Sequence, residues 1–246
     1  MLDRTARTSL TTAFVITVMC TLATQASAQD PLWGGDLVGR IDSLALASIE
    51  GGSVAALSIG VKRGGDLLLT KGYGLADIEN SVSATAETVY RIGSITKQFT
   101  AAAVMQLVEA GKIDIDASMT EYLPDYPAAG QDVTIRHLLT HTSGIKSYTG
   151  LASWAPKKTL DLSDEELVDL FKDEPVDFAP GERFLYNNSG FYLLGMIIEV
   201  VSGESYRDYL DAHVFGPLGM SRSLYCDERP IVPGRAEGYE QGGEGL

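Results

Sequence analysis

Cysteine is nearly missing from this chain: two occur in 246 residues, Cys20 and Cys226. Cys20 lies in an N-terminal stretch read below as a leader, and without it Cys226 stands alone. No internal disulfide can then staple the fold. Cys226 reads as a half-buried packing residue, because no histidine lies near it in sequence to activate it. Histidine is also scarce, with three in all. His137 and His141 stand at i, i+4, a spacing that can bind zinc. No glutamate follows His137 and His213 is remote, so these histidines read as structural, and neither metal nor cofactor is expected. Positive charge is the third shortage: 19 Lys and Arg against 33 Asp and Glu give a net charge of −14. So acidic a protein is repelled by phosphate backbones and anionic lipid, which excludes nucleic-acid and peripheral-membrane partners. The chain also lacks internal repeats, low-complexity tracts and any apolar run near the ~20 residues of a membrane span.

What is present begins with Arg4 and Arg7, an apolar run over Ala13–Ala23, and Ala26-Ser27-Ala28 ahead of Gln29. A basic start, a short apolar core and an Ala-x-Ala site describe a secretory signal peptide over residues 1–28. Val18 and Met19 ahead of Cys20 are not the small residues a lipoprotein anchor uses. The expected product is exported, periplasmic or secreted, without stable membrane insertion after cleavage. Residues 29–246 form the remaining domain, and a hydrophobic content of 45% suffices for a packed core.

Leu37–Ile49 has helical spacing and stops at Gly51-Gly52. Val54–Val61 and Leu67–Tyr73 read as strands joined through Gly64-Gly65-Asp66, a hairpin. Val89–Gly93 is a short extended approach to Ser94. Lys97–Ala110 is periodic and ends at Gly111, as helices commonly do. Further short helices are expected over Val133–Thr140 and from a capping box at Ser163 to about Lys172. Ser189–Val201, ending at Gly203, and Tyr206–Val214 complete a mostly helical region over about 98–225. Two strands alone make a marginal sheet, so further strands are expected beyond Leu246.

Ser94-Ile95-Thr96-Lys97 carries the chemistry. A serine and a lysine three apart on a helix share one face, one turn above each other. Ser94 also falls at the positive end of the helix dipole, where a developing negative charge is favoured. Lysine ordinarily titrates near ~10.4 and tyrosine near ~10, so either needs help from burial or a neighbour before it can take the serine proton at neutral pH. Tyr186-Asn187-Asn188 offers a phenol and an amide two residues apart, which point the same way if the link is extended. Tyr148, just past Gly144, either lines a substrate pocket or stands exposed on a loop. His141-Thr142-Ser143-Gly144 ends a helix and precedes Tyr186, and it is not counted among the reactive motifs.

Together these segments resemble the serine hydrolases related to class C β-lactamases, with low-molecular-weight penicillin-binding proteins and carboxylesterases of the same fold. The resemblance rests on Ser94-Ile95-Thr96-Lys97, on Tyr186-Asn187-Asn188 as a Tyr-x-Asn motif 92 residues later, and on His137–Ile145 between them. Gly111-Lys112-Ile113-Asp114 and Phe215–Met220 fit it too, and it covers about Val54 to about Tyr239. It implies an α+β, β-lactamase/transpeptidase-like fold, with an antiparallel sheet flanked by helices and a mostly helical second subdomain. It implies an acyl-enzyme on Ser94, a proton shuttle through Lys97 and Tyr186, and Asn188 bonding the substrate or Lys97. The candidate substrates are β-lactams, peptides ending in D-amino acids and small esters. The Ser94 N–H supplies one oxyanion donor, and the family takes the second from a strand bearing Lys/His-x-Gly. No such triplet follows Tyr186 as far as Leu246. Losing one such donor costs ~10²–10³ in rate. The alternative expectation is therefore a non-catalytic truncated remnant that at most binds such ligands.

Overall fold

The computed structural model describes residues 36–127, 130, 132–227 and 229–240. The expected leader, residues 1–28, lies outside the described residues. The described residues divide into two compact units, one holding those up to Tyr90 together with those from Val232 on, the other those between.

In the first unit, helix α1 (Leu37–Glu50) starts where the Asp36 carboxylate accepts the Gly39 N–H. It is followed by strands β1 (Ala56–Arg63) and β2 (Asp66–Asp77), which pair antiparallel from Ala56 opposite Gly74 to Arg63 opposite Asp66. Gly64 and Gly65 close the hairpin with φ of 59° and 97°, the all-positive turn whose twist suits a two-residue connection. A short third strand, β3 (Val82–Ser83), extends the sheet to the order β1-β2-β3. This corrects the two-strand expectation: two residues are too few for a period-2 pattern to register. The close pass depends on Gly72, since a Cβ there would lie 2.4 Å from the Ala84 backbone. Asp42 of α1 ties the helix to β2, accepting from Lys71 Nζ at 2.8 Å and from the Tyr73 phenol at 2.6 Å. The bond to Asp42 pushes the Tyr73 phenol up to about 12.

The second unit has its own core. Helix α2 (Thr96–Glu109) buries Thr100, Ala103, Val104 and Leu107, the i, i+3, i+4, i+7 face of an amphipathic helix. Between it and the next long helix come the short helices α3 (Ile135–Leu139) and α4 (Asp164–Val168). Helix α5 (Asn188–Ser202) presents Gly190, Leu193, Leu194, Ile197 and Ile198 on one buried face and ends at Gly203 with φ 77°. The four aliphatic residues pack with Met119, Ile135, Leu138 and Phe171 into one cluster, each fully buried aliphatic side chain contributing about 1.5–3 kcal/mol. Helix α6 (Tyr206–Leu210) passes into a π-turn over Asp211–Phe215.

Several expected boundaries move. The extended approach to Ser94 holds at Val89, which bridges Arg235, but not at its end: Ile92 has φ −90° and ψ 0°, and Gly93–Ile95 forms a 3-10 turn. The Ser163 capping box is present, but its α-helix ends at Val168 rather than near Lys172. The helix expected through Val214 is α-helical only to Leu210. Cys226 is exposed, not half-buried.

Candidate active site

Ser94 stands in the 3-10 turn that opens α2, with Gly93 ahead of it at φ 50°. Positive φ is cheap only for glycine, and here it turns the chain sharply into the helix. Lys97 follows one turn along, its Nζ 3.4 Å from Ser94 Oγ. The same ammonium donates to Asn188 Oδ1 at 2.8 Å and lies 4.7 Å from the centre of the Tyr186 ring. Tyr186 donates its phenol to Ser94 Oγ at 2.6 Å. Lys97 and Tyr186 thus both reach the Ser94 hydroxyl, and Asn188 reaches it through Lys97.

The corner bearing Tyr186 and Asn188 is built by what lies beneath it. Asn187 has the extended φ −140° and ψ 123° of an N-cap, and its side chain accepts the Gly190 N–H at 2.8 Å. Its amide donates to the Ile145 carbonyl. In extended backbone successive side chains point opposite ways, so burying Asn187 turns Tyr186 and Asn188 outward. Ser189 is fully buried, donating to the Lys146 carbonyl at 2.8 Å and accepting the Tyr148 N–H at 2.9 Å. The facing loop, residues 143–149, is held by Gly144, whose Cβ would meet the Phe178 carbonyl oxygen at 2.0 Å. It is held also by the Lys146–Asp177 ion pair.

That loop orients Asn188. Thr149 Oγ1 accepts from Asn188 Nδ2 at 2.9 Å, and Ser147 Oγ accepts the Asn188 N–H at 3.2 Å. With its nitrogen so engaged, the Asn188 carbonyl is the end left facing Lys97. Ser147 and Thr149 were missed in the sequence. Loop hydroxyls are common, and no spacing signals which ones meet a partner about forty positions away.

Electrostatics ease ionisation of the Tyr186 phenol. Burial pulls the Tyr186 phenol upward, but the hydrogen bonds and charge of Lys97 and Ser94 outweigh it and hold the phenol below its ordinary value. Tyr148 is half-buried, its ring against Trp154 and Phe171 at 4.8 and 6.3 Å. It joins Lys97, Asn188, Phe191 and Tyr192 in lining a cavity of about 290 Å³. Ser94 and Tyr186 are not in that lining. Among the described residues no group of three or more His, Cys, Asp or Glu could hold a metal ion. Nor, among them, is any helix long and apolar enough to cross a membrane.

A hydroxyl at a helix N-terminus, bonded by a phenol and an ammonium, is the arrangement of a serine acyl-transfer hydrolase. Residues 41–246 match the family model described as Beta-lactamase. The chain belongs to that family of serine hydrolases. Penicillin-binding protein 4* of Bacillus subtilis (strain 168) is 34% identical over 183 residues, 73% of this chain and 40% of that protein. Among solved structures, the octameric penicillin-binding protein homologue from Pyrococcus abyssi is similar at 37% identity and a TM-score of 0.75, over 85% of this chain and 49% of that one. D-amino acid amidase from Ochrobactrum anthropi SV3, complexed with L-phenylalanine amide, gives 28% identity and a TM-score of 0.75, over 86% of this chain and 60% of that one. The chain spans less than half the length of the curated relatives it matches.

Proposed function

We propose that this chain is an exported serine hydrolase that opens an amide or ester bond through an acyl-enzyme on Ser94. The observation that carries the reading is the bond from the Tyr186 phenol to Ser94 Oγ at 2.6 Å, with Lys97 Nζ at 3.4 Å from the same oxygen. Ser94 Oγ attacks the carbonyl carbon, and its proton passes to the Tyr186 oxygen in its phenolate form. Lys97 supports that phenolate by charge. The tetrahedral intermediate places its negative oxygen at the Ser94 N–H, near the N-terminus of α2, where such charge is favoured. Collapse breaks the bond to the leaving nitrogen or oxygen, which takes the proton from Tyr186. Water then enters by the same relay, frees the acid and restores the Ser94 hydroxyl. Asn188 serves twice, holding Lys97 through Oδ1 and offering a polar group to the substrate, while Tyr148 lines the space beside it. The family and the resemblance support three substrate classes: β-lactams, peptides ending in D-amino acids, and small esters. The leader pattern of residues 1–28 supports export.

The test is covalent labelling of the full chain with a penicillin-type or activated-ester probe, read by intact mass. The wild type should gain one acyl group, and Ser94→Ala should gain none. Lys97→Ala should lose labelling with little change in thermal unfolding, and wild-type-like labelling in that variant would refute the relay. A chain that binds these ligands without chemistry, the competing reading, predicts no adduct with any acylating probe.

A further inference from the structure

We propose that His141 is the positioning residue of this site: its neutral imidazole holds the Tyr186 phenol over Ser94, and protonating that ring releases it. The inference rests on the reading above for what Tyr186 does to Ser94. Three contacts from this one residue surround Tyr186. The His141 carbonyl accepts the Leu185 N–H at 2.9 Å. Its Nδ1 accepts the Asn187 N–H at 3.0 Å. Both chain neighbours of Tyr186 are therefore tied to His141, and the tyrosine ring lies on the imidazole with centroids 4.7 Å apart. Phe184 and Phe191 flank the imidazole at 5.7 and 5.0 Å. His141 reaches this position with φ 58°, a left-handed backbone that side chains other than glycine adopt at a cost.

An Nδ1 that accepts an N–H carries no proton, so the neutral ring has its hydrogen on Nε2. Protonation would turn Nδ1 into a donor facing the Asn187 donor, and would set a second cation beside Lys97. The ionisable groups that share this corner are Lys97, from α2, and the phenol itself; Phe184 and Phe191 are apolar. Burial first, and then the charge of Lys97, hold the imidazole below its ordinary value, so it stays neutral at neutral pH. The bond to Asn187 is thus present above the imidazole's lowered value and lost as pH falls through it.

The test uses the full chain and two variants. His141→Phe keeps a ring but removes the acceptor. His141→Asn keeps an acceptor near the Nδ1 position and a side chain that tolerates positive φ, but cannot be protonated. The absorbance step of the Tyr186 phenolate is identified by its loss in Tyr186→Phe. In His141→Phe that step should move up toward ordinary tyrosine, and acylation should slow about ten- to a hundredfold, as expected for a displaced reacting group. In His141→Asn the phenolate step should stay, and with it the fall in acylation as the phenol regains its proton, but the further fall where the imidazole gains its proton, below the ordinary 6.5, should disappear. An unmoved step in His141→Phe, or that further fall unchanged in His141→Asn, overturns the proposal. If neither variant folds by circular dichroism, the wild type decides: the Tyr186 ring resonances must shift at the midpoint of the His141 titration, and resonances that ignore it overturn the proposal. The phenolate and resonance measurements need no turnover, so a chain that never acylates refutes the proposed function while leaving these outcomes readable.

Discussion

Asn187 and Asn188 are adjacent and carry the same side chain, yet they sit on opposite sides of one corner. On the closed side, Asn187 is 3% exposed, with its amide and its carbonyl both bonded to backbone. Ser189, two positions on, is buried in the same way. On the open side, Asn188 meets side chains, Lys97 and Thr149, and Tyr186 is 43% exposed. Hydrogen bonds on the closed side cap α5 and tie its start to the loop at Ile145–Tyr148. Those on the open side hold groups whose protons can move. The same amide has backbone partners on one side of the corner and side-chain partners, Lys97 and Thr149, on the other.

The contrast can be broken most forcefully from below. Asn187→Ala leaves the Ile145 carbonyl and the Gly190 N–H without their partner and removes the cap of α5. It should destabilise the protein by about 2–4 kcal/mol, since the orphaned Ile145 carbonyl costs ~1–3 and the lost cap at the Gly190 N–H ~1. Chemical denaturation would measure this, and a loss below about 1 kcal/mol would mean that the closed side is not what supports the corner.

Asn188→Ala should do the reverse. Its acylation rate should fall about tenfold to a hundredfold, while its unfolding midpoint shifts by less than about 1 kcal/mol. A large stability loss with unchanged labelling would erase the distinction between the two asparagines.

A subtler effect sharpens the open side. With the Tyr186 phenol held below its ordinary 10.0, its phenolate forms earlier as pH rises. The acylation rate should climb with pH and level off below that value. A climb that begins only above it would show that the phenol is not the group taking the serine proton.

Much of this arrangement can be read along the chain. The Ser94–Lys97 pair follows from helical spacing, and the same-side placement of Tyr186 and Asn188 follows from an extended link of one residue. Gly64-Gly65 at the hairpin, the Ser163 capping box and Gly111 and Gly203 at helix ends are local signals, each acting over a few bonds. What could not be read depends on distant segments. The 3-10 turn at Gly93–Ile95, the brevity of the helix after Ser163 and the two-residue β3 are set by packing. Packing overrides the weak preferences of short stretches. His141 is the instructive case: without a glutamate or a third histidine nearby in sequence it reads as structural, while its ring and both its bonding groups close on Tyr186 and its neighbours from more than forty positions away.

The order of residues alone determined which groups could react and how each lies within its own helix or extended link, because those relations are fixed by backbone period. Only the tertiary structure decided that a phenol and an ammonium meet at one hydroxyl, with an amide holding the ammonium, and which face of the corner is closed. The physical reason is that period acts over a few residues. Bringing distant segments together depends on core burial and on the pairing of buried polar groups, and these are settled only when the whole unit is packed.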